Sequence, residues 1–135
     1  LDLELILCVE EIMFLLKVKG SFSAAHSIEG YQGKCAEIHG HSWEVVAVVR
    51  TVGLNELGIA YDFARLKEKL QLVLSALDHS YLNRLEPFKG KNPTAENIAV
   101  HIFSELKSAM PCGLELESVE VFESPTSSVI YKAEG

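Results

Sequence analysis

The spacing of apolar residues changes twice along the chain, from alternation to helical periodicity and back, and this order leaves few ways to build one core. From Phe14 to about His26 the residues alternate, with Leu16, Val18 and Gly20 on one face and Leu15, Lys17 and Lys19 on the other. A polar stretch over 27–34 carries Gly30 and Gly33 and has the chemistry of a loop. A second strand then runs from His41 to Val52, with Trp43, Val45, Ala47 and Val49 on one face and Ser42, Glu44, Val46 and Val48 on the other. Apolar residues on both of its faces call for some burial of each.

Asp62 stands where a helix N-cap belongs, and Phe63, Leu66, Leu70, Val73, Leu74 and Leu77 follow at helical spacing. A second helix is expected from Pro93-Thr94-Ala95-Glu96, with Thr94 as its cap and Ile98, Ala99, Ile102, Phe103 and Leu106 as its apolar stripe. Beyond Pro111-Cys112-Gly113, Leu116, Val119 and Val121 alternate with Glu115, Glu117 and Glu120, and a turn at 124–127 leads to Val129-Ile130-Tyr131. The expected fold is α+β, order ββααββ: a four-stranded antiparallel sheet with two helices on one face. The other face is left uncovered, and assembly with further copies is the expected way to cover it.

With 135 residues, nearly half of them apolar, the chain has material for one core. Residues 13–135 are expected to form a single domain, with 1–12 an N-terminal extension ahead of a start at Met13. The 12 basic residues are outnumbered by 19 acidic ones, and no basic cluster exceeds Lys89-Gly-Lys91, so nucleic acid is a poor partner. The apolar opening carries Asp2, Glu4, Glu10 and Glu11, which excludes a membrane span and lacks the form of a signal peptide. Three widely spaced cysteines, Cys8, Cys35 and Cys112, suit a reducing cytoplasm better than a disulfide framework.

Three histidines carry the first chemical signal. His39 and His41 are one residue apart at a strand start, so both imidazoles project from the same side. His26, at the end of the preceding strand, joins them if the two strands pair as a hairpin. Three nitrogen ligands with a fourth position open is the usual donor set of a catalytic Zn2+ site. His101, on the second helix, is an ordinary structural histidine. Cys35, four residues before His39, is either a thiolate base lowered in pKa by a nearby cation or an inert buried thiol. Asp78-His79, closing the first helix, is either a carboxylate orienting a proton-transfer imidazole or a helix-end pair. Glu123, ending a strand, is either an acceptor for the paired N–H groups of a guanidine-like ring edge or a solvated strand end.

Together these residues resemble one family. Ala24-Ala25-His26, Cys35-Ala36-Glu37-Ile38-His39-Gly40-His41, Asp62-Phe63-Ala64-Arg65-Leu66-Lys67, Leu77-Asp78-His79-Ser80-Tyr81-Leu82-Asn83, Pro93-Thr94-Ala95-Glu96-Asn97 and Glu123 are similar, in order, to the motifs of the 6-pyruvoyl- and 6-carboxy-tetrahydropterin synthases. The resemblance implies the tunnelling fold, in which three subunits join sheets into a barrel and two trimers stack. It implies 7,8-dihydroneopterin triphosphate as substrate, bound between subunits, and zinc held by His26, His39 and His41. Cys35 would be the base, Asp78 and His79 the proton relay, and Glu123 the pterin anchor, helped by Thr94 and Glu96. The short spacing from cysteine to histidine resembles the branch that makes 6-carboxy-tetrahydropterin for queuosine-type bases. Formation of 6-pyruvoyl-tetrahydropterin, or of 6-hydroxymethyl-dihydropterin for folate, ranks next, the latter because Glu37 lies near the cysteine. The triphosphate needs cationic company, and Lys19, Lys34 and Arg84 are candidates that the sequence does not rank. A non-catalytic zinc or pterin binding module, and a zinc hydrolase using bound water, are the readings of another class.

Overall fold

The computed structural model describes residues 13–134, with Cys35 described by its backbone alone; the expected extension over 1–12 lies outside the described residues. The chain runs β1 (Met13–His26), β2 (His39–Val52), α1 (Phe63–Ser75), β3 (Ser80–Tyr81), α2 (Ala95–Ser108), β4 (Leu114–Ser124) and β5 (Ser127–Lys132). Short 3-10 turns lie at Lys34–Ala36, Leu82–Arg84 and Glu86–Phe88. The strands form one sheet in the order β3-β1-β2-β4-β5.

Five strands rather than four, in a mixed rather than wholly antiparallel sheet, correct the expected architecture. The added strand, β3, pairs Ser80 and Tyr81 in parallel with Ala24 and Ala25. Two residues are too few to show a periodicity, and this pairing is set from outside the strand. The His79 N–H donates to the Ser23 carbonyl at 2.6 Å, and the Ser23 N–H donates to Asp78 Oδ1 at 2.8 Å.

β1 and β2 are antiparallel over their full length, from Met13 opposite Val52 to His26 opposite His39. Directly opposite residues share a face. One face therefore carries Val18 with Ala47, Phe22 with Trp43 and Ala24 with His41, and both helices pack on it. Trp43, Val45, Ala47, Val49, Val119 and Val121 have no exposed surface there, and meet Leu66, Leu74, Ile98, Ala99, Ile102 and Leu106 from the helices. Phe63 departs from the expected stripe. It is the first helical residue and is half exposed, facing a cavity that Phe14 and Leu16 of β1 also line. The opposite face has no layer over it within the described chain and shows Leu15 and Ile130 more than half exposed.

The helix signals work as the sequence implies. The Asp62 side chain accepts from Ala64 N–H at the start of α1, and the Thr94 hydroxyl accepts from Asn97 N–H at the start of α2. The break in alternation between Leu116 and Val119 marks a bulge. Ser118 is opposite Val48 and Leu116 opposite Val49, leaving Glu117 as the extra residue.

Gly20 is a point of close approach between α1 and the sheet. A Cβ there would fall 2.8 Å from Leu74 Cδ1 and 3.3 Å from Leu70 Cδ2, in a fully packed layer. Gly20→Val is expected to cost about 1–3 kcal/mol by overpacking, read as a lower urea midpoint at unchanged slope; an unchanged midpoint would refute this contact. Thr94→Ala is expected to cost about 1 kcal/mol for the lost cap, measured in the same way.

Candidate metal centre and active site

The β1–β2 register delivers the three histidines to one end of the helix-covered face. His26 opposes His39, and His41 opposes Ala24, one step along. β4 extends the same face. Glu44 is opposite Phe122, so Val119, Val121 and Glu123 point to the helix side and Glu123 comes next to Trp43. One ligand atom from each of His26, His39, His41 and Glu123 lies within 4.8 Å of the other three. The indole of Trp43 forms the floor, its ring centroid 4.9 Å from those of both His26 and His41. It is fixed by donation from Nε1 to the Ala24 carbonyl at 3.2 Å and by stacking on Phe22.

Two backbone carbonyls fix the tautomers. His26 Nδ1–H donates to the Pro93 carbonyl at 2.8 Å, and His39 Nδ1–H donates to the Glu37 carbonyl at 2.7 Å. A carbonyl only accepts, so in the neutral rings both Nε2 atoms are bare lone pairs, and they face one another at 2.9 Å. Burial pushes the pKa of His26 and His41 below the ordinary imidazole value. The Pro93 carbonyl pulls His26 upward, the Glu123 carboxylate pulls both upward, and the neighbouring imidazoles add to the depression. Neutral rings are the ligand form. His41 Nε2 is buried and has no hydrogen-bond partner among the described residues. Converging lone pairs, an orphaned buried nitrogen and carbonyl-bound outer nitrogens together fit a divalent cation.

Around this cluster the loop after β1 is tied down by amides. Asn83 both donates to the Ser27 carbonyl and accepts from its N–H, Asn92 does the same for Glu29, and Asn97 donates to the Asn92 carbonyl. The Ser27 hydroxyl meets the Tyr81 hydroxyl at 2.7 Å. Sequence reading did not single out these positioning residues, nor the Pro93 and Glu37 carbonyls. Asn83 and Asn97, inside the Leu-Asn and Glu-Asn motifs, were the available signal for the former, and Asn92 carried none. Backbone acceptors leave none.

The remaining candidates fall elsewhere. Cys35 lies in the 3-10 turn Lys34–Ala36, on the loop joining the two histidine-bearing strands. Thr94 spends its hydroxyl on the α2 cap beside Pro93, and Glu96 is exposed in the first turn of that helix. Lys19 pairs with Glu44 at 3.6 Å, and Arg84 stacks over the Tyr81 ring. Asp78 and His79 form a pair, Nδ1–H donating to Oδ2 at 2.8 Å, with the imidazole largely exposed. The Ser23 N–H, then His79, hold the Asp78 carboxyl below the ordinary carboxylate value. His79 adopts φ 54°, a left-handed conformation that a non-glycine residue seldom takes. The pair hangs on the Ser23 backbone at the edge of β1 and is not among the four residues whose ligand atoms converge.

Comparison with known proteins gives a consistent match. A model of the family described as 6-pyruvoyl tetrahydropterin synthase matches residues 15–134. The chain is 40% identical over 125 residues to 6-carboxy-5,6,7,8-tetrahydropterin synthase from Synechocystis sp., covering 88% of this chain and 93% of that one. It is 38% identical over 116 residues to a putative 6-carboxy-5,6,7,8-tetrahydropterin synthase from Archaeoglobus fulgidus, covering 86% and 92%. The solved structure of Caenorhabditis elegans 6-pyruvoyl tetrahydropterin synthase superimposes with a TM-score of 0.81 at 32% identity, over 93% of this chain and all of that one.

Two outcomes are expected. Zinc added to metal-free protein should bind once per chain and, at a free concentration a hundredfold above its Kd, stabilise the fold by about 2.7 kcal/mol; His39→Ala should lose that gain, and equal stabilisation of both proteins in thermal melts would refute the cluster. Asp78 has a depressed pKa in the folded chain, so its contribution is complete above the ordinary carboxylate range and disappears as the pH falls through the depressed value. Denaturation midpoints of Asp78→Asn measured against pH should lack that acid-side decline.

Proposed function

The chain belongs to the 6-pyruvoyl tetrahydropterin synthase family of enzymes, and from this premise we propose that it is a zinc-dependent lyase converting 7,8-dihydroneopterin triphosphate to 6-carboxy-5,6,7,8-tetrahydropterin. The observation that carries the metal-dependent reading is the convergence of three imidazoles, two of them with Nδ1 already committed to a backbone carbonyl and the third, His41, with a buried Nε2 that has no hydrogen-bond partner among the described residues. The product assignment is supported by relatives named for 6-carboxy-tetrahydropterin formation at 40% and 38% identity. By the chemistry of that branch, the product would serve queuosine-type base synthesis in the cytoplasm.

Bound by His26, His39 and His41, zinc supplies Lewis acidity to the hydroxyls of the substrate side chain. The chain's own groups do the rest. Cys35, on the loop between two of the ligand-bearing strands, takes a side-chain proton as its thiolate. His79 gives or receives the second proton through Nε2, because its Nδ1–H is held by Asp78. Glu123 accepts paired N–H groups from the pterin edge, with Thr94 and Glu96 at the neighbouring helix start. The Asp78-His79 pair is held at the β3 edge of β1, apart from the four converging metal-site residues, which favours a site completed between subunits of a trimer or a dimer of trimers.

A second reading, 6-pyruvoyl-tetrahydropterin formation, is favoured by the 0.81 superposition on the nematode enzyme bearing that name. A binding module without turnover has no use for the Asp78-His79 pair held in the strained His79 conformation.

Incubation of the zinc-loaded protein with 7,8-dihydroneopterin triphosphate should yield 6-carboxy-tetrahydropterin and acetaldehyde by mass spectrometry. Cys35→Ala should lower kcat by about 10²–10⁴-fold while retaining zinc. A different pterin product would move the chain to another branch, and full activity in Cys35→Ala would remove the cysteine from the mechanism.

A further inference from the structure

Four side chains converge at the metal cluster, whereas a catalytic zinc takes three protein ligands and keeps one position for substrate or water. Resting on the metal-dependent reading above, we infer that Glu123 is the fourth metal ligand of the substrate-free enzyme, closing the position that substrate must enter, and that it is the ligand that leaves.

Distance and chemistry support the assignment. Glu123 Oε1 is 3.5 Å from His26 Nε2 and 3.4 Å from His41 Nε2. Ligand atoms at ordinary zinc bond lengths in a tetrahedron are separated by about 3.3 Å. A good N–H···O hydrogen bond is shorter, and His26 Nδ1–H is already used on Pro93, so neutral His26 has no proton left to offer at Nε2. The carboxylate stands at the edge length of a coordination polyhedron.

The departing ligand is also identifiable. The His26 side chain is 1% exposed and Glu123 40% exposed. His26 and His39 are each anchored through Nδ1 to a backbone carbonyl, whereas the Glu123 carboxylate has no hydrogen-bond donor among the described residues apart from the facing imidazoles. Its backbone sits at a register shift, where Phe122 pairs with Ser128 and Ser124 with Ser127, so Glu123 has no directly opposed residue on β5. Bulges of this kind re-aim side chains beside active sites. Once displaced, the carboxyl oxygens are free to accept the N–H groups of the incoming ring. One residue then performs two tasks in succession: it shields the metal when the site is empty and holds the pterin when the site is filled.

The test uses cobalt(II) in place of zinc and azide as an added ligand, and involves no turnover. Visible bands of cobalt-loaded parent protein should resist azide, while those of Glu123→Ala should shift at an azide concentration at least about tenfold lower. Cobalt affinity should also fall, by no less than the roughly ten- to hundredfold typical of losing a residue that supports a metal site. Glu123→Gln, checked for folding by circular dichroism, should behave like Glu123→Ala; a folded variant that no longer retains cobalt supports the assignment too. Azide shifting parent and variant bands at the same concentration would overturn it, whatever the protein does with a pterin.

Discussion

Everything in this fold depends on the register between β1 and β2. Each strand is fourteen residues long, and they pair without a break from Met13–Val52 to His26–His39. A shift of one residue would turn Trp43, Val45, Ala47 and Val49 to the uncovered face along with His39 and His41. Burying a side chain of the size of Val45 or Val49 stabilises the fold by about 1.5–3 kcal/mol. The core therefore holds the register, and the register holds the ligands. The metal cluster needs no dedicated scaffold, because it is the last turn of the same ladder that builds the hydrophobic layer.

A second level of order comes from backbone carbonyls. Pro93 precedes the cap of α2 and Glu37 lies two residues before β2, and each directs one imidazole by taking its Nδ1–H. The first of these bonds ties a strand to a helix, so docking α2 on the sheet also selects the ligand tautomer of His26. On the other side of β1, the Ser23 backbone uses both its N–H and its C=O on residues 78 and 79. Metal chemistry and acid–base chemistry are thus attached to the same strand three residues apart, on separate sides.

The sequence made the core and the three histidines legible because both follow simple periods. Alternation placed Trp43 and Val45 inward, helical spacing placed Leu66 and Leu74, and the capping residues Asp62 and Thr94 stood where the helices begin. Glu123 was visible as a residue, but its place beside the histidines depends on β2–β4 pairing, a contact between segments about eighty positions apart. β3 was hidden for the opposite reason, being two residues long and formed by hydrogen bonds to Ser23 rather than by any pattern of its own. The break between Leu116 and Val119 was present in the sequence, and only the pairing with β2 shows it to be a bulge.

The sheet also has consequences at its margins. Beyond Ala24 and Ala25, the outer side of β1 carries no partner strand among the described residues, and neither does the outer side of β5. Unpaired strand edges are templates for whatever extended segment arrives first. A substitution that prevents the correct neighbour from docking would therefore give a sticky chain rather than a well-behaved monomer, and its losses would appear as precipitate during expression before they appeared in any assay.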